Sequence, residues 1–174
     1  AHDIIARQRI AALRKLEYAV VDPIQDNTVL TGWCLRLHHR CNRICLFFLC
    51  AEDNAINAEI LELLLESKGA HCKIYPNGQE LVDAFVRVKP GEYDMILMDV
   101  QMPVMDGLEA ARRIRSSENP LGQVIPILAM TANAFLEDMQ KSKEAGMDEH
   151  LSKPVDIDAL EQTVKRFRVT PPRK

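Results

Sequence analysis

Four polar features of this 174-residue chain stand where short strand-like runs give out: Glu52-Asp53 after Ile44 to Cys50, Asp99 after Met95 to Met98, Thr131 after Ile125 to Met130, and Lys153 after Glu149 to Ser152. A short apolar run bounded by turn residues reads as a buried strand. In an open parallel sheet, ligand-binding and reacting groups gather beyond the carboxyl ends of the strands. In such a sheet these four features converge although 101 positions separate Glu52 from Lys153. Three carboxylates within a few ångströms raise one another's pKa unless a cation lies between them. A hard divalent ion with oxygen ligands answers that need, and Mg²⁺ suits a few carboxylates plus waters. Lys153 would add a movable point charge and Thr131 a hydroxyl donor. Two acids, a metal, a lysine and a hydroxyl are what phosphoryl transfer requires, with one aspartate as in-line nucleophile forming an aspartyl phosphate. Each residue also has a plainer role. Asp99 can cap a loop, Glu52-Asp53 can complement a helix dipole, Thr131 can be an ordinary strand residue and Lys153 a solvated loop lysine. The joint placement at four strand ends is what argues for a site.

The elements that must position these groups alternate along the chain. Ile44 to Cys50 is an apolar strand. Asn54 to Ser67 is helical, with Ile56, Ile60, Leu61, Leu63, Leu64 and Leu65 as a broad apolar face and Gly69 as its stop. Cys72 to Tyr75 is a strand, and Pro76-Asn77-Gly78 turns the chain. Gln79 to Val88 is a helix with Leu81, Val82, Phe85 and Val86 inside, ending before Pro90-Gly91. Met95 to Asp99 is the third strand, and Leu108 to Arg115 the third helix. Ser116 to Gln123 reads as loop. Ile125 to Met130 is the fourth strand, with Pro126 tolerated near its start. Phe135 to Ala145 is a helix stopped by Gly146. Glu149 to Ser152 is a fifth strand, and Asp156 or Asp158 caps a last helix running to Arg168. Five strand-helix repeats predict an α/β domain with a parallel sheet and right-handed crossovers.

Residues 1–43 differ. Ile4, Ile5, Ile10, Leu13, Leu16 and Val20 fit one amphipathic helix ended by Asp22-Pro23, and residues 25–43 show no period and read as linker. The chain thus divides into an N-terminal helix and linker, 1–43, and a domain, 44–170. Residues 1–43 carry seven Lys/Arg against four Asp/Glu, while the rest is acidic and the net charge is −3. That balance suggests no nucleic-acid surface. The most apolar run, Ile44 to Ala51, is far short of the roughly 20 residues that span a bilayer. No signal peptide is visible. Five cysteines, an odd number, suit a reducing compartment better than a disulfide framework. Cys34, His38, His39, Cys41 and Cys45 cluster, but their spacing matches no usual pair of zinc ligand couples.

The segments Ala51-Glu52-Asp53-Asn54-Ala55-Ile56-Asn57, Ile96 to Gly107 around Asp99 and Met102-Pro103, Ile127 to Ala134 around Thr131, and Leu151-Ser152-Lys153-Pro154 resemble those of the receiver domain of two-component response regulators. The resemblance covers about residues 44–168 and is closest to the receivers of hybrid sensor histidine kinases. It implies a flavodoxin-like fold with a five-stranded parallel sheet in the order 2-1-3-4-5, helices on both faces and an N-terminal helical extension. It implies that Asp99 accepts a phosphoryl group from a phosphohistidine. Mg²⁺ would be held by Asp53, Asp99 and the backbone carbonyl of Gln101, with Glu52 helping through water. Lys153 would pair with the phosphoryl group, in a Lys153-Pro154 bond that is often cis. Thr131 would move to donate to a phosphoryl oxygen, repacking the fourth helix and fifth strand. The implied partners are a histidine kinase domain or a histidine phosphotransfer protein, the implied setting is cytoplasmic, and dimerisation through the fourth and fifth helices is left open. The resemblance implies no enzyme beyond self-phosphotransfer and slow autodephosphorylation.

The chain departs from the family at several points. His150 stands where the family often has a rotating Tyr or Phe, which predicts a weakened or pH-sensitive switch. Gln101 and Asn133, the neutral amides two beyond acceptor and threonine, predict no sharp phosphoryl lifetime. Residues 32–48 lack the usual basic residue followed by Ile-Leu-Val, with Trp33, Cys34, His38 and His39 in that stretch. No phosphohistidine box, ATP-binding glycine box or DNA-binding output domain is seen in these residues. Besides a hybrid-kinase receiver, three readings compete. One is a free single-domain regulator, and another a receiver-like module that is never phosphorylated. The third, a haloacid-dehalogenase-type phosphatase, needs an acid where Gln101 stands.

Overall fold

The computed structural model describes residues 46–132 and 136–167. Five strands, β1 (Phe47–Ala51), β2 (His71–Tyr75), β3 (Met95–Asp99), β4 (Ile127–Thr131) and β5 (Glu149–Ser152), alternate with helices α1 (Ala55–Ser67), α2 (Gly78–Phe85), α3 (Gly107–Ser116), α4 (Leu136–Glu144) and α5 (Ile157–Phe167). The sheet is parallel throughout, in the order β2-β1-β3-β4-β5. This is the flavodoxin-like order implied by the resemblance. β3 and β4 are buried along their whole length, as central strands covered on both faces must be. One core, built on Leu49, Ile96, Met98 and Ile127, packs against α2 and α3; the other, built on Phe48, Leu97, Leu128 and Met130, packs against α1 and α5.

Side-chain caps set the helix starts. Asn54 accepts from the amides of Ile56 and Asn57, Asn77 from Glu80, Asp106 from Glu109, and Asp156 from Asp158 and Ala159. Several boundaries differ from the sequence reading. β1 reaches Ala51, because Ala51 still pairs with Tyr75 and Met98; Ile44 and Cys45 lie outside the described residues. β4 starts at Ile127 and not Ile125, because the Ile125 amide closes a turn onto Leu121 and Pro126 has no donor to give. α2 stops at Phe85 and not Val88. Asn119, within the stretch read as loop, donates from its side-chain amide to the carbonyls of Phe85 and Val88, which ends the helix in a tightened turn. That stretch also contains a 3₁₀ turn over Pro120–Gln123. Phe135, Arg168, the N-terminal helix, the linker and the Cys34–Cys45 cluster lie outside the described residues.

Two burial expectations are corrected. Val86, expected inside, is exposed. So are Ile56 (69%), Ile60 (47%) and Leu63 (59%), and only Leu61 and Leu65 of α1 are buried. At 100° per residue Leu61 and Leu65 lie opposite Ile56, Ile60 and Leu63, so the residues read as one broad face occupy two.

At the end of the sheet away from Asp99, Arg115 ties three elements together. Its guanidinium donates to the carbonyls of Gly146, Gly122 and Ile125 and to Asp148, each at 2.8 Å. Asp148 also accepts the Ile127 amide at 2.9 Å. This fixes the C-terminal end of α3 against the starts of β4 and β5.

Candidate functional site

The carboxyl ends of β1, β3, β4 and β5 bring Glu52, Asp53, Asp99, Thr131 and Lys153 to one edge of the sheet. Register explains the convergence: Ala51 lies beside Met98, Asp99 beside Met130, and Thr131 beside Ser152. Lys153 is fixed by its own backbone, whose amide donates to the Thr131 carbonyl at 2.8 Å. The Lys153-Pro154 peptide is cis.

Lys153 is the hub. Its Nζ lies 2.6 Å from Asp99 Oδ2 and 2.6 Å from Glu52 Oε2. The other oxygen of Asp99 accepts the Gln101 amide at 3.1 Å. The other oxygen of Glu52 accepts the Asn57 side-chain amide at 3.1 Å. Glu52, Asp99 and Thr131 are buried, whereas Asp53 is exposed. Burial raises the Asp99 carboxyl above its ordinary value, against the opposing pull of Lys153 and the Gln101 amide. Burial alone would lower the Lys153 ammonium, but its hydrogen bonds to Asp99 and Glu52 outweigh that and leave it raised. The two directions agree physically. Two carboxylates share one lysine, so the lysine is held charged while Asp99 is incompletely compensated.

Glu52, Asp53 and Asp99 can each offer an oxygen within 4.8 Å of the others. A buried, under-compensated aspartate, a second acid and an exposed third acid form an all-oxygen donor set, which fits a hard divalent cation such as Mg²⁺. Beside it opens a cavity of about 520 Å³ lined by Asp53, Gln101, Met102, Asp106 and Lys141 among others. The floor of this site depends on Gly107, whose amide donates to Val100; a Cβ there would overlap the Asp99 carbonyl oxygen.

His150 sits on β5 beside Ala129, three positions before Lys153. Both ring nitrogens are buried without a partner, and burial lowers its pKa. It does not touch the acidic cluster through any hydrogen bond. Asn133 lies outside the described residues.

Some features of the site were not read from sequence. Asn57 grips Glu52, and Lys141 reaches the cavity mouth from α4. Val104, β-branched and 84% exposed, adopts a φ of 67° within a tight turn in which the Met105 amide donates to the Pro103 carbonyl at 2.7 Å. Such a conformation is strained for a branched residue, and no periodicity could announce it.

A family model for the response regulator receiver domain matches residues 48–165. Among curated proteins, the chain is 34% identical over 169 residues to the sensor protein GacS of Pseudomonas syringae pv. syringae, covering 95% of this chain and 18% of that protein. Hence it spans less than a fifth of that relative's length. Among solved structures, it resembles the receiver domain of the sensor histidine kinase PA1611 from Pseudomonas aeruginosa PAO1, which holds a magnesium ion in its active-site cleft (TM-score 0.63, 36% identity, 71% of this chain and 98% of that one). It also resembles a chain of the co-crystal of the Saccharomyces cerevisiae histidine phosphotransfer protein Ypd1 with the receiver domain of its downstream regulator Ssk1 (TM-score 0.62, 33% identity, 70% of this chain and 87% of that one).

Proposed function

We propose, from the premise that this chain belongs to the response regulator receiver domain family, that Asp99 is its phosphoacceptor. As a family member the chain is a receiver domain of two-component signalling, homologous to the receivers of hybrid histidine kinases. The observation that carries the assignment to Asp99 is the pairing of one half-buried lysine with Asp99 and Glu52 inside a three-carboxylate cluster.

In this reading an Asp99 carboxylate oxygen attacks the phosphorus of a phosphohistidine. The P–N bond breaks as the P–O bond forms, and the donor leaves as neutral imidazole because its other nitrogen carried the proton. The Gln101 amide and Lys153 hold the attacking carboxylate in one orientation, which is most of what a dissociative transfer asks of a protein. Asp53, Asp99 and the Gln101 carbonyl would hold Mg²⁺, with Glu52 acting through water, and the ion would offset charge on the transferring oxygens. Lys153 stays against the phosphoryl group, and the Thr131 hydroxyl donates to one of its oxygens. The new charge then biases a two-state packing of α4 and β5, with His150 in the place of the usual aromatic switch. A His150→Tyr variant with partner affinity equal to wild type would remove His150 from that role. Any turnover is limited to self-phosphotransfer and slow hydrolysis of the acyl phosphate.

The donor is a histidine kinase domain or a histidine phosphotransfer protein, as in the co-crystallised neighbour. A groove of about 350 Å³ between α1 and the Lys153-Pro154 turn, lined by Asn57, Ile60, Leu64, Pro154 and Val155 among others, runs up to Glu52 and Lys153. The chain works on the cytoplasmic side as the receiver of a hybrid kinase. No helix among the described residues is long and apolar enough to cross a membrane. The domain occupies residues 44–170 and carries the N-terminal 1–43 as a connector. Incubation with Mg²⁺ and acetyl phosphate, read by intact mass, tests the assignment. One phosphoryl adduct that needs Mg²⁺ and is lost in Asp99→Asn is expected. A folded protein with no adduct would favour a phosphorylation-independent interaction module.

A further inference from the structure

β1 and β2 hold two thiols against each other on the face of the sheet that α1 covers. Cys50 is fully buried, Cys72 is half-buried, and both are free. Phe48 lies beside Cys72 and Cys50 beside Ile74, so the two cysteines are diagonal neighbours on paired strands. Both pack in the core cluster that contains Leu61 and Leu65 of α1. The Cys50 thiol donates a hydrogen bond to the Cys72 sulfur. Burial, and after it this contact, raises the Cys50 thiol. The same contact lowers Cys72, against burial and the carboxylates of Glu62 and Glu66.

The two thiols thereby divide the work of an oxidation. A thiolate is the nucleophile, and Cys72 is both the more acidic of the pair and the one nearer solvent. Cys50 is closed to reagents but already touches Cys72. We propose that Cys50 and Cys72 are a site of reversible oxidation by peroxides, closing to a disulfide between β1 and β2. The Cys72 thiolate attacks one oxygen of hydrogen peroxide. An S–O bond forms, the O–O bond breaks, and the hydroxide released takes the proton that Cys72 gave up. The Cys50 sulfur then attacks the sulfenic sulfur. The S–S bond forms, the S–O bond breaks, and the hydroxyl leaves as water with the Cys50 proton. Two thiols lose two electrons and two protons, and one hydrogen peroxide becomes two waters.

The backbone must give a little for the bridge to close. Diagonal neighbours on paired strands have Cα atoms about 7–8 Å apart, whereas a disulfide wants them within about 6.8 Å. β2 is the edge of the sheet and pairs with β1 alone, so it can draw in by the missing ~1 Å. A bridge closed at that cost is the labile, readily reduced kind, which fits a modification that a reducing compartment reverses. The chemistry uses neither Mg²⁺ nor the Asp99 carboxylate, so it does not depend on the phosphoacceptor reading.

Peptide mapping of the full chain after hydrogen peroxide, without phosphodonor, tests the site. Remaining thiols are blocked with N-ethylmaleimide before digestion. Trypsin and chymotrypsin together cut at Phe47 and Phe48, between Cys45 and Cys50, and at Lys68 and Lys73, on either side of Cys72, so each thiol can be followed by itself. The expected result is one cross-linked peptide joining Cys50 to Cys72, about 2 Da lighter than its two reduced parts, which dithiothreitol separates again. In Cys50→Ala the link is lost and Cys72 goes on to sulfinic acid, about 32 Da heavier. Sulfinic acid at Cys72 in the wild-type chain without the link overturns the proposal. So does a link from Cys72 to Cys34, Cys41, Cys45 or a second chain, or a folded protein in which both thiols survive peroxide. With no phosphoryl group present, failure here is distinct from failure of the phosphoacceptor assignment.

Discussion

Replacing Arg115 by Met separates the stability of this fold from its chemistry. Arg115 and Asp148 are each 11% exposed, and their contact is 2.8 Å. Removing one member of a buried ion pair leaves the other uncompensated and costs about 3–5 kcal/mol. The carbonyls of Gly122, Ile125 and Gly146 lose their donor too, which places the loss in the upper half of that range. Domains of this size hold about 5–15 kcal/mol in total. With a urea slope of about 2 kcal/mol per molar, the midpoint should fall by about 2 M. Arg115→Lys should recover only part, because one ammonium cannot reach four acceptors spread over a fork. Asp148→Asn combined with Arg115→Met should cost less than the two single losses added, since the pair is coupled. The assay is urea unfolding followed by circular dichroism, with Asp99 phosphorylation measured on the folded fraction. The latch lies at the opposite end of the sheet, so the variant should accept the phosphoryl group at the wild-type rate. A midpoint shift under about 0.5 M would refute the latch argument, and lost phosphorylation in folded protein would refute the separation of the two ends.

Other consequences can be measured independently. His150 is half-buried with both ring nitrogens out of solvent and unpartnered, and burial lowers its pKa, with Glu149 raising and Lys143 lowering it to a smaller extent. Its folded pKa lies below the unfolded value of about 6.5, so the unfolded state takes up the proton first. Stability should therefore be lost as pH falls through about 6.5, the loss ending below the folded pKa; His150→Phe should flatten this region of a pH–stability curve. Lys153→Gln should slow phosphorylation by acetyl phosphate about 10²-fold, the scale of losing one preorganised charge donor, while leaving the fold intact by circular dichroism. Mg²⁺ at about a hundred times its Kd should raise unfolding free energy by about 2.7 kcal/mol over protein in EDTA, and Asp53→Asn should abolish that gain.

Much of the fold is legible because strands and helices announce themselves by period. β5 falls on Glu149–Ser152 as the spacing predicts, and Asp156, one of the two caps read for the last helix, accepts the Asp158 and Ala159 amides at its start. The gathering of Glu52, Asp99, Thr131 and Lys153 at one edge follows from parallel register, which the alternation of elements implies. Features that depend on contacts distant in sequence were not legible. Asn119 ends α2 from 34 positions away from Phe85, and no local pattern in Gln79 to Val88 records that. The side of α1 that faces the core was ambiguous because apolar residues encircle the helix: the pattern fixes that α1 is a helix but not which leucines it buries. Val104 is exposed and strained for reasons of turn geometry that its side chain does not advertise.

The central claim is that Asp99, among neighbouring acids, forms the acyl phosphate. Borohydride reduces an aspartyl phosphate to homoserine, so the protein phosphorylated with Mg²⁺ and acetyl phosphate can be reduced, digested and sequenced by mass. Homoserine at position 99 alone is the predicted result. Reduction at 52, 53 or 106 instead, or phosphoryl incorporation that persists in Asp99→Asn, would contradict the account.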